Sequence, residues 1–483
     1  MFPVMRDERR SISDGIGRPR HISETERDLI RLVHEPGFSR WLDQIRSVGG
    51  CAHPIYLAGH TTTRDPLTGE VLRHYDTATE PGGRMPVRCR NRRETRCAPC
   101  SYLHAGDTFQ LVRSGLLGGK GVSAGVQHHP RLFVTLTAPS FGAVHRASGP
   151  DAGLCRPRRS GGHCEHGTSL SCFQSHEETE SAVGQPLCPH CYDYAGHVLW
   201  NASAGSLWNR FCHALRRQVA TAAGITQTRL REHLTLSFAK VAEYQRRGAV
   251  HFHAVIRLDG PEGPSSPPPL WATSDLLSEA IRSAHASVET HTPYSPATGE
   301  RVIRWGEQID VHPIQSDAFS ESSAVTSGAV AAYVAKYVSK SVGDSGGIDY
   351  RPEDLDTIHH APVNAHLRAL MVACWRLGGL VELEPLNLRA WPHALGYRGH
   401  VLTKSRRYST TYGALREVRS DYQAGDALDF PEDQDTLTES SWRYVGSGHS
   451  LAESEIARGI AEDLASLRII RKEIREDSQG DPW

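Results

Sequence analysis

The chain has 483 residues, of which 39% are hydrophobic, and its 54 lysines and arginines face 55 aspartates and glutamates for a formal net charge of −1. That length accommodates about three domains with real cores, and the near-neutral total neither demands nor excludes a polyanionic partner. A run of about 18 apolar residues is absent and the opening MFPVMRDERRSISDG is charged where a secretory leader is apolar, so a cytoplasmic protein is expected.

Residues 1–83 show one plausible helix, Glu24–Val48, then a loop-like stretch from Thr61 to Pro81, and carry no readable chemistry. The text then turns basic. Arg84, Arg88, Arg90, Arg92, Arg93 and Arg96 fall close together and could follow a phosphate backbone or merely solvate a loop; Lys404, Arg406 and Arg407 pose the same choice later in the chain. Of 11 cysteines, eight lie between Cys89 and Cys191, which in a cytosolic chain argues for metal ligation over disulfides. Cys97-x-x-Cys100 and Cys188-x-x-Cys191 are paired knuckles suited to one closed, tetrahedral zinc site. Cys89, Cys155, Cys164 and Cys172, with His163 and His166 close by, form a possible second zinc site, the alternative being one site plus free thiols. The low regularity of residues 150–190 fits a segment ordered by metal and not by its own core. GLLGGKG, Gly115–Gly121, lacks the glycine spacing and the Ser or Thr after Lys120 that a phosphate loop needs, and reads as a turn after a helix from Tyr102 to Leu116.

RLFVTLTAP, Arg131–Pro139, alternates apolar residues with threonine and is stopped by proline, the pattern of a buried strand. His197–Gly224 reads as a helix. Leu234–Gln245 and Ala249–Leu258 read as two strands joined by Arg246, Arg247 and Gly248, a three-residue loop whose final glycine suits a type I turn plus bulge. Within AVHFHAVIRL, His251 and His253 point to one face and Phe252 to the other, which can be a metal clamp or a structural feature. Counting outward from a Gln245–Ala249 pair sets Glu243 opposite His251, making it the natural third ligand. A Pro-rich connection, Asp259–Trp271, leads to a helical stretch ending near Ser287 and then a strand from Arg301 to Ile314. Ser327–Ser341 is helical: Tyr333 and Tyr337 project from one face, and Lys336 and Lys340 follow each at an offset of three. Packing of tyrosines into a core is the plain alternative. A helix near Ala361–Arg376, an acidic stretch from Asp421 to Glu439 and a charged helix from about Leu451 to Glu476 complete the chain.

The succession FVTLT, then HFH, then YVAKYVSK resembles the HUH endonuclease superfamily, specifically replication initiators of rolling-circle plasmids and single-stranded-DNA phages. LCPHCYDYAGHVLWN, SFAKVAEYQRRGAVHFHAVIRLDG and TKSRRYSTTYGALR are similar to the initiators of actinobacterial plasmids, a likeness reaching from about Arg88 to Arg419. The resemblance implies an α+β fold with an antiparallel five-stranded sheet, helices packed on one side of it, the histidines on a central strand and the tyrosines on a neighbouring helix. It implies His251, His253 and Glu243 as ligands of Mg2+ or Mn2+, Phe133–Thr137 as a structural first motif, and Tyr333 and Tyr337 as nucleophiles.

The resulting expectation is an N-terminal region of unknown role at 1–83, a cysteine-rich zinc module at 84–124 and 150–196, a nickase domain at 125–149 and 197–345, a helical and basic DNA-binding extension at 346–420, and an acidic stretch with a helix at 421–483. The substrate would be single-stranded or hairpin DNA at a plasmid origin, contacted by Arg88–Arg96 and Lys404–Arg407, with host helicase and polymerase as partners. A tyrosine hydroxyl would attack the phosphodiester to give a 5′-phosphotyrosine and a free 3′-OH; Tyr337, flanked by Lys336 and Lys340, is favoured as the first nucleophile, and either lysine could stabilise developing charge. A zinc-stabilised DNA-binding regulator without nuclease activity, a conjugative relaxase and a transposase stay open.

Overall fold

The computed structural model describes residues 23–148, 153–155, 157, 162–315, 326–339, 347–425 and 436–479, apart from the side chains of 337, 339, 421–425 and 475–479. In chain order the helices are α1 (Glu24–Val33), α2 (Phe38–Ser47), α3 (Ala98–Leu117), α4 (Tyr194–Ala222), α5 (Leu230–His233), α6 (Ser274–Ser287), α7 (Ser327–Ser339), α8 (Leu355–His359), α9 (Ala365–Leu377), α10 (Tyr412–Gly425) and α11 (Leu451–Gln479). The strands are β1 (Ile55–Arg64), β2 (Val71–Asp76), β3 (Met85–Val87), β4 (Arg131–Leu136), β5 (Thr235–Tyr244), β6 (Val250–Asp259), β7 (Glu289–His291), β8 (Val302–Arg304), β9 (Ile309–Pro313), β10 (Leu402–Lys404) and β11 (Leu437–Ser447). Among the described residues no helix is long and apolar enough to cross a membrane.

Contacts divide the chain into two units, residues 1–89 with 433–483, and residues 90–432. In the first, β1 pairs antiparallel with β11, β2 and β3. The expected loop at Thr61–Pro81 thus contains strand, and the expected helix Glu24–Val48 is two helices. Pro36 ends the first, and Gly37, at φ 92°, starts the second from a left-handed conformation that only glycine adopts without cost. Trp41 and Ile45 of α2 pack on Ala457 of α11.

The second unit is built on a five-stranded antiparallel sheet in the order β10-β5-β6-β4-β9. Successive side chains of β6 face opposite ways, so the strand serves two layers. Phe252, Ala254, Ile256 and Leu258 join Leu132, Val134 and Leu136 of β4 in a core under α4 and α6, where Trp208 meets Phe252 edge-on at 5.9 Å. On the reverse face Val255, Ala239 and Val241 pack under Leu111, Val112 and Leu116 of α3 and Val330, Ala331, Val334 and Val338 of α7. Helices therefore cover both faces, not one. The single strand expected over Arg301–Ile314 is two, because Gly306 interrupts it where its backbone meets Ala138, leaving 2.7 Å between the Ala138 carbonyl oxygen and any added Cβ.

At the end of β6 remote from its histidines, an ion pair holds the second face together. Arg257 donates from Nε to Asp259 Oδ1 (2.6 Å) and from Nη2 to Asp259 Oδ2 (2.9 Å), and reaches the carbonyls of Gly115 and Tyr408; both charged side chains are fully buried. Ser237 donates to Asp259 Oδ2 at 2.6 Å and His129 Nδ1 lies 2.8 Å from Oδ1, so every carboxylate oxygen is satisfied. Removing one partner of such a pair costs about 3–5 kcal/mol, because the other charge stays buried and uncompensated. Asp259→Asn should lower stability by about that amount in urea unfolding; an unchanged midpoint would contradict this reading.

Candidate metal and nucleophile site

The site begins with a turn. Gly248 N–H donates to Gln245 O at 2.7 Å and Gln245 N–H to Ala249 O at 2.8 Å, with Gly248 at φ 82°. This loop of Arg246, Arg247 and Gly248 fixes the register that places Glu243 opposite His251, and Thr135 of β4 opposite His253. Buried Asn201 of α4 ties the turn down: its Nδ2 donates to Gly248 O (3.1 Å) and Leu395 O (2.9 Å), while its Oδ1 accepts from Val250 N–H (3.0 Å).

Three donor atoms converge as a result. Glu243 Oε2 lies 3.0 Å from His251 Nε2 and 3.1 Å from His253 Nε2, and the two nitrogens are 3.2 Å apart. About 3 Å is the edge expected between adjacent ligands each roughly 2.1 Å from a common octahedral ion. Burial raises the Glu243 pKa, but the hydrogen bonds from His251 and His253 outweigh it and hold the carboxyl at about 2, while burial lowers that of His253. With Nε2 protonated, each imidazole donates to Glu243. With the proton on Nδ1 instead, Nε2 offers a lone pair to a cation, and Thr135 Oγ1, 3.0 Å from His253 Nδ1, can accept that proton. Phe133 stacks on the His253 ring, 5.8 Å between centroids and 6° from parallel, and closes the side of the site.

The hydroxyl of Tyr333 on α7 joins this group, 2.9 Å from His253 Nε2 and 3.3 Å from Glu243 Oε2. The Tyr333 ring meets His253 at 4.9 Å and Phe133 at 5.7 Å, both edge-on. Helix α7 continues through Tyr337, whose side chain lies outside the described residues, as does Lys340; Lys336 is exposed.

The basic residues divide. Arg92 donates to Val338 O (3.2 Å), Arg93 and Arg96 to Asp349 O (3.0 and 3.3 Å), Arg88 to Ser47 O (3.4 Å) and Arg407 to Pro261 O (3.2 Å), all backbone contacts that brace the fold. Lys404 Nζ donates to Ser409 O at 2.9 Å, and burial lowers its pKa. Arg90 and Arg406 are exposed. A cleft of about 970 Å³ at the turn end of the β5–β6 hairpin is lined by Arg146, the adjacent Arg246 and Arg247, and Arg304, basic residues from three stretches far apart in sequence.

The cysteines group otherwise than their spacing suggests. Cys188 and Cys191 meet Cys164 and His166, and Cys155 and Cys172 meet His145 and His176; within each group the potential ligand atoms lie within 4.8 Å of one another. Cys97 and Cys100, at the start of α3, belong to neither group, and the Cys89 N–H donates to Cys51 Sγ at 3.3 Å. The structure thus does not bring the two Cys-x-x-Cys knuckles to each other, nor Cys89 to Cys155, Cys164 and Cys172; it sets Cys188 and Cys191 with Cys164 and His166, and Cys155 and Cys172 with His145 and His176. Cys164-x-His166 and Cys172-x-x-x-His176 are readable ligand spacings; His145 has no such signal. No disulfide links the described cysteines.

Titration calorimetry with Mn2+ tests the capacity of the first group. Thr135→Val, which removes only the partner of His253 Nδ1, should weaken binding by about 10–100-fold, and Glu243→Ala should abolish it; unaltered affinity in both would show that the three side chains hold no ion.

A family model described as "Replication initiator protein, pSAM2" matches residues 37–462. A replication initiator protein of Streptomyces ambofaciens is 45% identical over 459 residues, covering 93% of this chain and 95% of that protein. No solved structure matches.

Proposed function

The chain belongs to the pSAM2-type replication initiator protein family, and from that premise we propose that it starts rolling-circle replication of a plasmid as an HUH-type endonuclease that nicks, and later rejoins, one DNA strand at the origin. The observation that carries this reading is the Tyr333 hydroxyl seated 2.9 Å from His253 Nε2, beside the Glu243, His251 and His253 side chains that would hold a divalent cation. Two imidazole nitrogens and a carboxylate oxygen fit Mg2+ or, with two nitrogen donors, better Mn2+. When bound, such an ion polarises a phosphodiester and eases loss of the phenol proton.

The chain's own residues do the rest. Tyr333 loses its proton as its oxygen forms a bond to phosphorus, the bond from phosphorus to the 3′-oxygen breaks, and that oxygen leaves as a 3′-OH after taking a proton. The 5′-phosphotyrosine conserves the bond energy, so a 3′-OH can reverse the step without a nucleotide, in keeping with the missing phosphate loop. Tyr333 is assigned the first attack and Tyr337, one turn later, the second transfer that closes a round. Lys336 and Lys340 are proposed to face the developing negative charge. Single-stranded DNA would run along the cleft of Arg146 and Arg246, with exposed Arg90 and Arg406 as outer backbone contacts. The two mixed Cys and His groups are read as structural zinc sites. The setting would be the cytoplasm, with host helicase and polymerase extending from the 3′-OH.

The test is incubation of the full chain with Mn2+ and labelled single-stranded oligonucleotides tiled across its own replicon, followed by denaturing electrophoresis. Wild type should give one sequence-specific, denaturant-resistant adduct, lost on chelation and in Tyr333→Phe. An adduct lost in Tyr337→Phe and retained in Tyr333→Phe would reassign the nucleophile, and absence of any adduct in wild type would leave a DNA-binding regulator.

A further inference from the structure

We infer that eight Cys and His side chains between His145 and Cys191 form two interleaved zinc sites that brace the turn of the catalytic hairpin. The inference rests on the reading of the cysteine groups as zinc sites and is independent of DNA cleavage. One site takes His145, Cys155, Cys172 and His176, and the other Cys164, His166, Cys188 and Cys191. Along the chain the ligand pairs therefore alternate between the sites: first, second, first, second. The loop closed between Cys155 and Cys172 contains Cys164 and His166, and the loop closed between His166 and Cys188 contains Cys172 and His176. Each ion thus fixes a segment that supplies half the ligands of the other.

The geometry fits ions and not accidental proximity. His145 Nδ1 is 3.1 Å from His176 Nε2, which is 3.4 Å from Cys172 Sγ, and His166 Nδ1 is 3.2 Å from Cys191 Sγ. These approach the roughly 3.3–3.8 Å edges of a tetrahedron built on bonds of about 2.0–2.3 Å. His176 turns Nε2 inward while its Nδ1 sits 2.8 Å from Glu180 Oε2, the carboxylate partner that orients a ligating imidazole. The Arg146 N–H donates to Cys155 Sγ at 3.3 Å, the kind of backbone contact that orients a ligating sulfur. Between His145 and Leu187 no described leucine, valine or phenylalanine is buried, so the described residues of this stretch build no apolar core of their own.

The module ends against the hairpin. His145 N–H donates to Gln185 O and Gly184 N–H to His145 O, both at 2.9 Å, so the ligand His145 is fixed to the Gly184–Gln185 segment by one backbone hydrogen bond to each residue. Gly184, at φ 90°, lies on the Arg246–Arg247 peptide so closely that a Cβ would stand 2.5 Å from the Arg246 carbonyl carbon. On the same turn, Arg247 donates to Pro139 O (2.9 Å) and Ala138 O (3.1 Å). The metal-ordered segment is thereby one wall of the turn that sets Glu243 against His251.

Cadmium-113 NMR of the full chain, with cadmium in place of zinc, separates the possibilities. The wild-type spectrum should include, whatever other cysteines also take up cadmium, one resonance from two sulfurs and two nitrogens and one from three sulfurs and one nitrogen. Cys155→Ser should abolish the first and shift or broaden the second, and Cys191→Ser the reverse. Variants that each remove only their own resonance would overturn the interleaving while leaving the zinc reading intact, whereas a four-sulfur resonance lost in both Cys97→Ser and Cys188→Ser would restore the knuckle pairing and overturn the module. Absence of any resonance would remove the zinc reading together with it. Hydrogen exchange of peptides spanning residues 243–251 should be at least about tenfold faster in Cys155→Ser than in wild type; equal rates would overturn the bracing.

Discussion

The site depends on the register between β5 and β6. Side chains alternate along a strand, so a slip of one residue would send Glu243 to the face opposite His251 and leave no three-donor group. What prevents the slip is local: the turn hydrogen bonds across Gln245–Ala249, a glycine at φ 82° that other residues would adopt only with strain, and the three hydrogen bonds of Asn201. A buried asparagine with every group satisfied specifies position as well as stability, since any other placement leaves it unpaired.

The sheet separates two kinds of work. Its Phe252 face is a dense apolar layer under α4 and α6, which makes the strands rigid. Its other face carries an apolar middle under α3 and α7, the Glu243, His251, His253 and Tyr333 group at one end and the buried Arg257–Asp259 pair at the other. Helix α7 thus packs Val330, Val334 and Val338 into the same layer that positions Tyr333, so the tyrosine and the Glu243, His251 and His253 group are referred to one rigid support. Geometry of this kind, fixed before a substrate arrives, is what an in-line attack on phosphorus requires.

Much of this was legible in the chain, because its signals are local. Period-two alternation marks β4, β5 and β6, a three-residue loop ending in glycine sets their register, and helical spacing puts Tyr333 on α7. The rest depended on partners distant in sequence. Thr61 and Thr63 sit in β1 beside Ser440 and Thr438 of β11, and β11, exposed along most of its length, carries no hydrophobic alternation to read. Cys-x-x-Cys spacing does not foretell the groups that the structure brings together: His145 and His176 join Cys155 and Cys172 across a long irregular segment, and nothing in a one-dimensional pattern says which side chains meet. Within the dense arginine run Arg88, Arg92, Arg93 and Arg96 support backbone carbonyls, while the cleft draws Arg146, Arg246 and Arg304 from three separate loops and strands.

The central claim is that hairpin register and α7 together place a nucleophilic tyrosine on a cation-binding group. Its most direct measurement is mass spectrometry of the covalent product: wild-type chain reacted with origin single strand and Mn2+, digested with nuclease and protease, and the modified peptide sequenced. The expected result is a 5′-nucleotide phosphate on the oxygen of Tyr333. Nicked DNA with a free 5′ end and no modified tyrosine would contradict it.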